Sequence, residues 1–185
     1  MRVNGKMKFF FILVTLFSIT LAGNQNMDSF KAKRITRTHT ISLNSVIENV
    51  MPLFEPYNEA KWLDGWHIIP VYPDDGSVSE GFVFVTDSKE HHHKAIWHIT
   101  RYDKKENIIE YFRVEPDIKT VKIFIKCSTG NNKTTEAAVT YTITALSQAG
   151  NDFVDGFTDT NYKEWINEWQ EKINYYFETG TALKD

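Results

Sequence analysis

Between Trp66 and Leu146 apolar and polar residues follow one another in six short runs: Trp66–Tyr72, Gly81–Thr86, Ala95–Tyr102, Ile108–Val114, Val121–Cys127 and Ala137–Leu146. Alternation with period two places successive side chains on opposite faces of a strand. The separators are Pro73-Asp74-Asp75-Gly76, Ser88 to His93, Asp103 to Asn107, Glu115-Pro116-Asp117 and Gly130-Asn131-Asn132. Each carries turn-forming or charged residues, and each is too short for a parallel crossover of a dozen residues or more. The pattern predicts an antiparallel meander.

Two flanking patterns complete the arrangement. Ile35-Thr36-Arg37-Thr38-His39-Thr40-Ile41 is rich in β-branched residues and reads as a first strand. Ser45-x-x-Glu48 reads as a capping box opening a short helix with Val46, Ile47 and Val50 as its apolar side. Pro52 and Pro56 stop that helix, leaving room for a second short turn over Tyr57 to Trp62. At the other end Tyr162, Trp165, Ile166, Trp169, Ile173, Tyr176 and Phe177 form one apolar stripe at helical spacing, predicting a helix from about Asp152 to Phe177 with its stop at Gly180. A stripe this aromatic requires a partner, and one face of the sheet supplies it. The order of elements predicts a single α+β domain.

The N-terminal stretch differs in kind. Arg2, Lys6 and Lys8 precede an apolar run from Phe9 to Ala22, and Asn24, Gln25 and Asn26 follow. A positive start, a short apolar run and small residues at its end describe a secretory signal peptide, with Thr20 and Ala22 before a cleavage at Gly23. An uncleaved anchor is the alternative. The chain therefore divides into residues 1–23 (signal peptide or anchor), a linker at 24–33, the domain at 34–180 and a tail at 181–185. Export to the periplasm or cell exterior follows, with membrane contact only through the N-terminal segment. The net charge of −3 becomes about −6 if that segment is removed. No dense basic block remains for phosphates, which argues against a nucleic-acid partner. The single Cys127 shares a strand face with Ile123 and Ile125, so it reads as a buried, inert thiol rather than a disulfide or nucleophile.

Several separated motifs resemble a branch of the START-like (SRPBCC, polyketide cyclase-like) superfamily. They are Met51-Pro52-Leu53-Phe54-Glu55-Pro56 with Glu59-Ala60-Lys61-Trp62-Leu63-Asp64-Gly65-Trp66, then Gly81-Phe82-Val83-Phe84-Val85-Thr86, then Trp97 to Asp103 as Trp-x-x-x-x-Tyr-Asp. The closest match is Thr140-Tyr141-Thr142-Ile143-Thr144-Ala145-Leu146-Ser147 followed by Gly150-Asn151. The resemblance implies the helix-grip fold: a curved antiparallel sheet of about seven strands packed on a long C-terminal helix, with two short helices after the first strand. It also implies a tunnel for lipid-like, polyketide, steroid or other hydrophobic ligands. Relatives include cyclases, dehydratases, lipid carriers and a chaperone activator. The export segment departs from their usual cytosolic form.

Aromatic residues make up 14% of the chain, with five Trp, eight Tyr and thirteen Phe, enough for either a bulky core or a lined cavity. Alternation turns Val139, Tyr141 and Ile143 to one face, with Val121, Ile123 and Ile125, and Thr140, Thr142 and Thr144 to the other. Trp62, Trp66, Phe84, Trp97, Tyr141, Trp165 and Trp169 are the expected ligand-lining residues. Glu59, near the expected pocket mouth, is a weak candidate acid or base; the alternative is a structural acceptor for a Trp N–H or for turn amides. His91-His92-His93 reads as a solvated turn, because consecutive residues of an extended turn diverge, and no metal or cofactor is expected. His67 and His98 alternate away from their Trp neighbours. Asn132-Lys133-Thr134 is a weak glycosylation match. Three functions stay open: binding or carriage of a hydrophobic small molecule, a cyclase- or dehydratase-type enzyme, and a protein-interaction module with a closed core and a Trp-rich surface.

Overall fold

The computed structural model describes residues 30–87 and 94–184. The expected export segment, most of the linker and the three-histidine turn lie outside those residues. The strands are β1 (Arg34–Leu43), β2 (Ile69–Tyr72), β3 (Val83–Asp87), β4 (Lys94–Asp103), β5 (Ile108–Glu115), β6 (Lys119–Thr129) and β7 (Thr135–Ala145). They form one antiparallel sheet in the order β1-β7-β6-β5-β4-β3-β2. The meander is as the alternation predicts, with β1 returning to pair with β7. On β7, Ala137, Val139, Tyr141, Ile143 and Ala145 are buried while the intervening residues are partly exposed. The outer face carries a threonine ladder, Thr36 with Thr142 at 3.0 Å and Thr38 with Thr140 at 2.8 Å between hydroxyls.

After β1 come α1 (Ile47–Val50) and two short 3-10 turns, Met51–Phe54 and Asn58–Lys61. The expected capping box does not form. Val46 is the N-cap and no side chain caps the helix; Ser45 Oγ instead accepts from Asn49 Nδ2 at 3.1 Å. Ser45 is already held in the turn that ends β1, its amide bonded to Leu43 O.

The expected single helix is broken into two, α2 (Gln148–Gly156) and α3 (Asp159–Thr179), and the apolar stripe from Tyr162 to Phe177 lies on α3 alone. Phe157 leaves the helical region, and Thr158 starts afresh as N-cap, its hydroxyl accepting from Asn161 N at 3.2 Å. Gly180, with φ of 74°, ends α3 as expected.

Gly150 of α2 is where that helix meets the sheet most closely. A Cβ there would lie 2.0 Å from Ile118 O and 3.0 Å from Ala145 Cβ. The adjoining Asn151 is buried; its Oδ1 accepts from Lys33 N at 2.8 Å and its Nδ2 donates to Lys31 O at 3.2 Å. The Gly150-Asn151 pair is thus an assembly joint, and it draws into the body two residues expected in the linker. At the other end Leu183, expected in the tail, bridges to Leu63.

Helix α3 lies along β1 and satisfies that edge strand with side chains. Gln170 Oε1 accepts from Ser42 N and Asn174 Oδ1 from Asn44 N, each at 2.8 Å, while Asn174 Nδ2 donates to Ser42 O at 3.2 Å. Unpaired backbone groups of a sheet edge are thereby covered. The core forms between α3 (Tyr162, Ile166 and Ile173) and the concave face of the sheet. The opposite edge, β2, starts at Ile69 rather than Trp66 and exposes all four of its residues.

Candidate functional site

Strand register arranges the concave face in rows. One row reads Ile99, Tyr111, Ile123, Tyr141; the next reads Phe84, Trp97, Arg113, Val121, Ile143; a third holds Glu115 opposite Lys119 and Ala145. On β4 a register shift between Ile99 and Arg101 changes the parity of the strand. Tyr102 therefore turns inward like Trp97, although five positions separate them, and its hydroxyl donates to Glu55 Oε1.

The aromatics form two clusters. In the first, Phe84 stacks on Trp97 at 5.4 Å, Trp66 meets Trp97 edge-on at 5.7 Å, and Tyr111 stands perpendicular to both Phe84 and Trp97. In the second, Tyr141 meets Trp165 at 5.0 Å and Trp169 at 6.3 Å, Trp165 and Trp169 meet at 5.8 Å, and Trp62 packs on Trp169 at 5.5 Å. All seven expected lining residues fall in these two clusters, but they differ in availability. Trp62, Phe84, Trp97 and Tyr141 are buried, whereas Trp66, Trp165 and Trp169 keep part of their surface.

The indole N–H groups separate in the same way. Trp62 donates to Leu53 O at 2.8 Å, Trp66 to Pro56 O at 2.7 Å and Trp97 to Thr86 Oγ1 at 2.9 Å. Trp165 and Trp169 have no acceptor among the described residues, yet their nitrogens are not among the sealed, unpartnered atoms. Both therefore keep open surface at their polar edge.

Polar groups stand between the clusters. The Tyr111 hydroxyl donates to Phe54 O at 2.5 Å, and Tyr162 to Val139 O at 2.7 Å. The Tyr141 hydroxyl and the Glu59 carboxyl make no side-chain hydrogen bond among the described residues, and neither is sealed. Burial alone pushes the Glu59 carboxyl well above the ordinary carboxylate range. Burial likewise raises the hydroxyls of Tyr111 and Tyr141; the Glu59 charge adds to both, and Arg113 opposes the rise at Tyr141. Glu59, Tyr111, Tyr141 and Arg113 thus share one electrostatic neighbourhood. The structural-acceptor reading of Glu59 fails, since the nearby Trp N–H groups donate to backbone carbonyls; its own carbonyl receives the Trp62 and Leu63 amides.

Periodicity missed the charged members of this face. Arg113 follows Ile109 and Tyr111 in the inward series of β5, a position where a cation is conspicuous once the strand's faces are assigned. Its Cζ lies 4.9 Å from the Trp97 ring centre, and its Nη2 is 2.7 Å from Glu115 Oε1. Glu115 also binds Lys119, whose ammonium sits 4.0 Å from the Phe153 ring centre. Burial lowers the Lys119 pKa despite that carboxylate. Arg113 Nε is sealed without an acceptor, as is Arg37 Nε on β1, opposite Tyr141.

Other expected features are inert or remote. Cys127 is buried, and burial pushes its thiol up to about 12. His67 and His98 are exposed, as their alternation suggests. No Trp is among the strongly exposed residues, which contradicts a Trp-rich interaction surface. Among the described residues no group of three metal-ligating side chains comes together. Three surface clefts, of about 560, 480 and 190 Å³, lie over the Val78 to Lys105 region, beside Tyr176 and Phe177, and beside Met51 and Tyr102; none is lined by the seven aromatics.

No family model matches the chain, and no curated protein matches it either. Solved structures do. Norcoclaurine synthase from Thalictrum flavum superposes with a TM-score of 0.57 at 9% identity, over 94% of this chain and 99% of that one. An uncharacterised protein from Rhizobium leguminosarum gives 0.55 at 13% identity, over 80% and 97%. Ara h 8.0201 gives 0.56 at 12% identity, over 78% and 97%. The seven-stranded curved sheet, the short helices after β1 and the long C-terminal helix are the START-like, helix-grip fold. At such identities the likeness is one of fold.

Proposed function

We propose that this protein binds and carries a hydrophobic small molecule between the concave face of its sheet and α3. The observation that carries the proposal is the state of Trp165 and Trp169. Both point from α3 toward Tyr141, yet both keep open surface and unpartnered indole N–H groups, while Tyr162, Ile166 and Ile173 on the same helix are fully enclosed. A core filled by its own side chains encloses such residues; a binding surface leaves them available. Trp66, packed edge-on against Trp97, is likewise only half-buried. Carriage outside the cytoplasm, with residues 1–23 as signal peptide or anchor, belongs to the same proposal.

The test uses N-phenyl-1-naphthylamine, a neutral probe that fluoresces when it leaves water. Saturable binding at one probe per chain, weakened severalfold by Trp169→Ala, is the expected result. No saturable signal, together with no thermal shift across a library of neutral and charged apolar compounds, leaves the closed-core reading standing instead.

A cyclase- or dehydratase-type activity is the second reading, favoured by one observation: a half-buried carboxyl, Glu59, free of side-chain hydrogen bonds among the described residues, with its pKa raised, near two tyrosine hydroxyls. Such a group can lend a proton to a bound molecule. Glu59→Gln separates the readings. A carrier keeps its ligand affinity and has no turnover to lose, whereas an enzyme keeps binding and loses conversion of the bound molecule.

A further inference from the structure

We infer that the ligand held between the sheet and α3 is amphipathic and carries a single anionic group, a carboxylate being the simplest, which Arg113 receives. The inference rests on the binding proposal above and specifies its substrate class.

Two cations, Arg113 and Lys119, project from neighbouring strands at one end of the concave face, and Glu115 is the carboxylate both of them contact. All three side chains are largely withdrawn from water, with 19%, 7% and 17% of their surfaces exposed for Arg113, Lys119 and Glu115. One positive charge is therefore uncompensated where solvation is poor, an arrangement that disfavours the empty state and favours a bound anion.

Geometry assigns the excess to Arg113. A guanidinium offers five N–H donors in a planar fork. Nη2 meets Glu115; Nη1 has no acceptor among the described residues and is not sealed, whereas Nε is closed to water and ligand alike. Lys119 is otherwise engaged, with Glu115 at its ammonium and the Phe153 ring beneath it. Arg113 also lies in the row beside Tyr141, close enough for its charge to act on that hydroxyl, which has no partner of its own. A carboxylate placed there would accept from both the guanidinium and the tyrosine, while the apolar remainder lies along Trp97 and the α3 tryptophans.

The experiment displaces N-phenyl-1-naphthylamine with two nearly isosteric competitors, 2-naphthylacetic acid and 2-naphthylacetamide, at neutral pH. On the native chain the acid is expected to compete about tenfold or more better than the amide, as a charge-assisted bond to a poorly solvated cation allows. Arg113→Met is expected to bring the acid-to-amide ratio to within about twofold of unity, and Arg113→Lys to restore part of it. Equal competition on the native chain overturns the inference while leaving hydrophobic binding intact. An acid preference that survives Arg113→Met overturns the assignment to Arg113. Failure of the reporter itself to bind overturns the underlying proposal. Should Arg113→Met not fold, Glu115→Gln decides: releasing the guanidinium from its carboxylate must increase the acid preference, and an unchanged or smaller ratio contradicts the account.

Discussion

Glu59 holds a carboxyl group inside the fold with no hydrogen bond to offset its lost hydration. Its folded pKa is raised, so its contribution to stability is complete below the unfolded value near 4.5 and is lost as pH rises through the higher folded value. Glu59→Gln removes that loss. The variant should unfold at a higher temperature than the native chain at pH 7, with the difference shrinking toward pH 4. A pH series of thermal unfolding curves checks this, and a constant difference across pH contradicts it. Trp62 is the opposite case, a fully buried side chain whose polar atom is satisfied. Trp62→Phe keeps most of the apolar bulk but orphans Leu53 O, at an expected cost of about 1–3 kcal/mol in a urea titration. Sequence reasoning named Glu59 as a weak candidate acid or base, with an acceptor for a Trp N–H as the alternative, and Trp62 as lining; the structure gives both indoles nearby to backbone carbonyls. Whether a Trp N–H finds a carboxylate or a carbonyl depends on backbone turns at Leu53 and Pro56 that no periodicity reveals.

Elements that repeat a simple pattern were legible, and those governed by a single local departure were not. The alternation of β6 and β7 assigned their inward residues correctly, because regular antiparallel pairing preserves parity along the whole strand. On β4 the register shift near Thr100 breaks parity, so Tyr102 and its bond to Glu55 lay outside what alternation could reveal. The break at Phe157 lies before the C-terminal stripe begins at Tyr162, so the stripe's spacing carried no sign of it. Two predictions belong to this scale. Gly150→Ala should destabilise the protein by about 1–3 kcal/mol, since the added methyl meets the Ile118 carbonyl and α2 must move. Removing both Gln170 and Asn174 as alanines should cost about 1–3 kcal/mol and accelerate hydrogen exchange at Ser42 and Asn44 above all, because those amides lose their acceptors on α3. Uniform exchange across β1 would instead mean that α3 docks by its apolar stripe alone.

Across the whole molecule, a curved sheet and one long helix place two aromatic clusters on either side of a small set of polar groups. The fold that does this was legible from strand count, separator length and the helical stripe together with the motif resemblance. The charged end of the face was not, because Arg113, Glu115 and Lys119 read in sequence as ordinary charges near a Pro-Asp turn. Their meaning depends on register, which sets Glu115 opposite Lys119 and Arg113 beside Trp97. The central claim, that α3 presents open tryptophans to a ligand, is most directly tested by ¹H–¹⁵N spectra of the five indole N–H groups during titration with 2-naphthylacetic acid. Trp62, Trp66 and Trp97 are tied to protein acceptors, whereas Trp165 and Trp169 are free. The account predicts that the Trp165 and Trp169 resonances shift most and saturate at one equivalent. Five resonances that stay in place as ligand is added would contradict it.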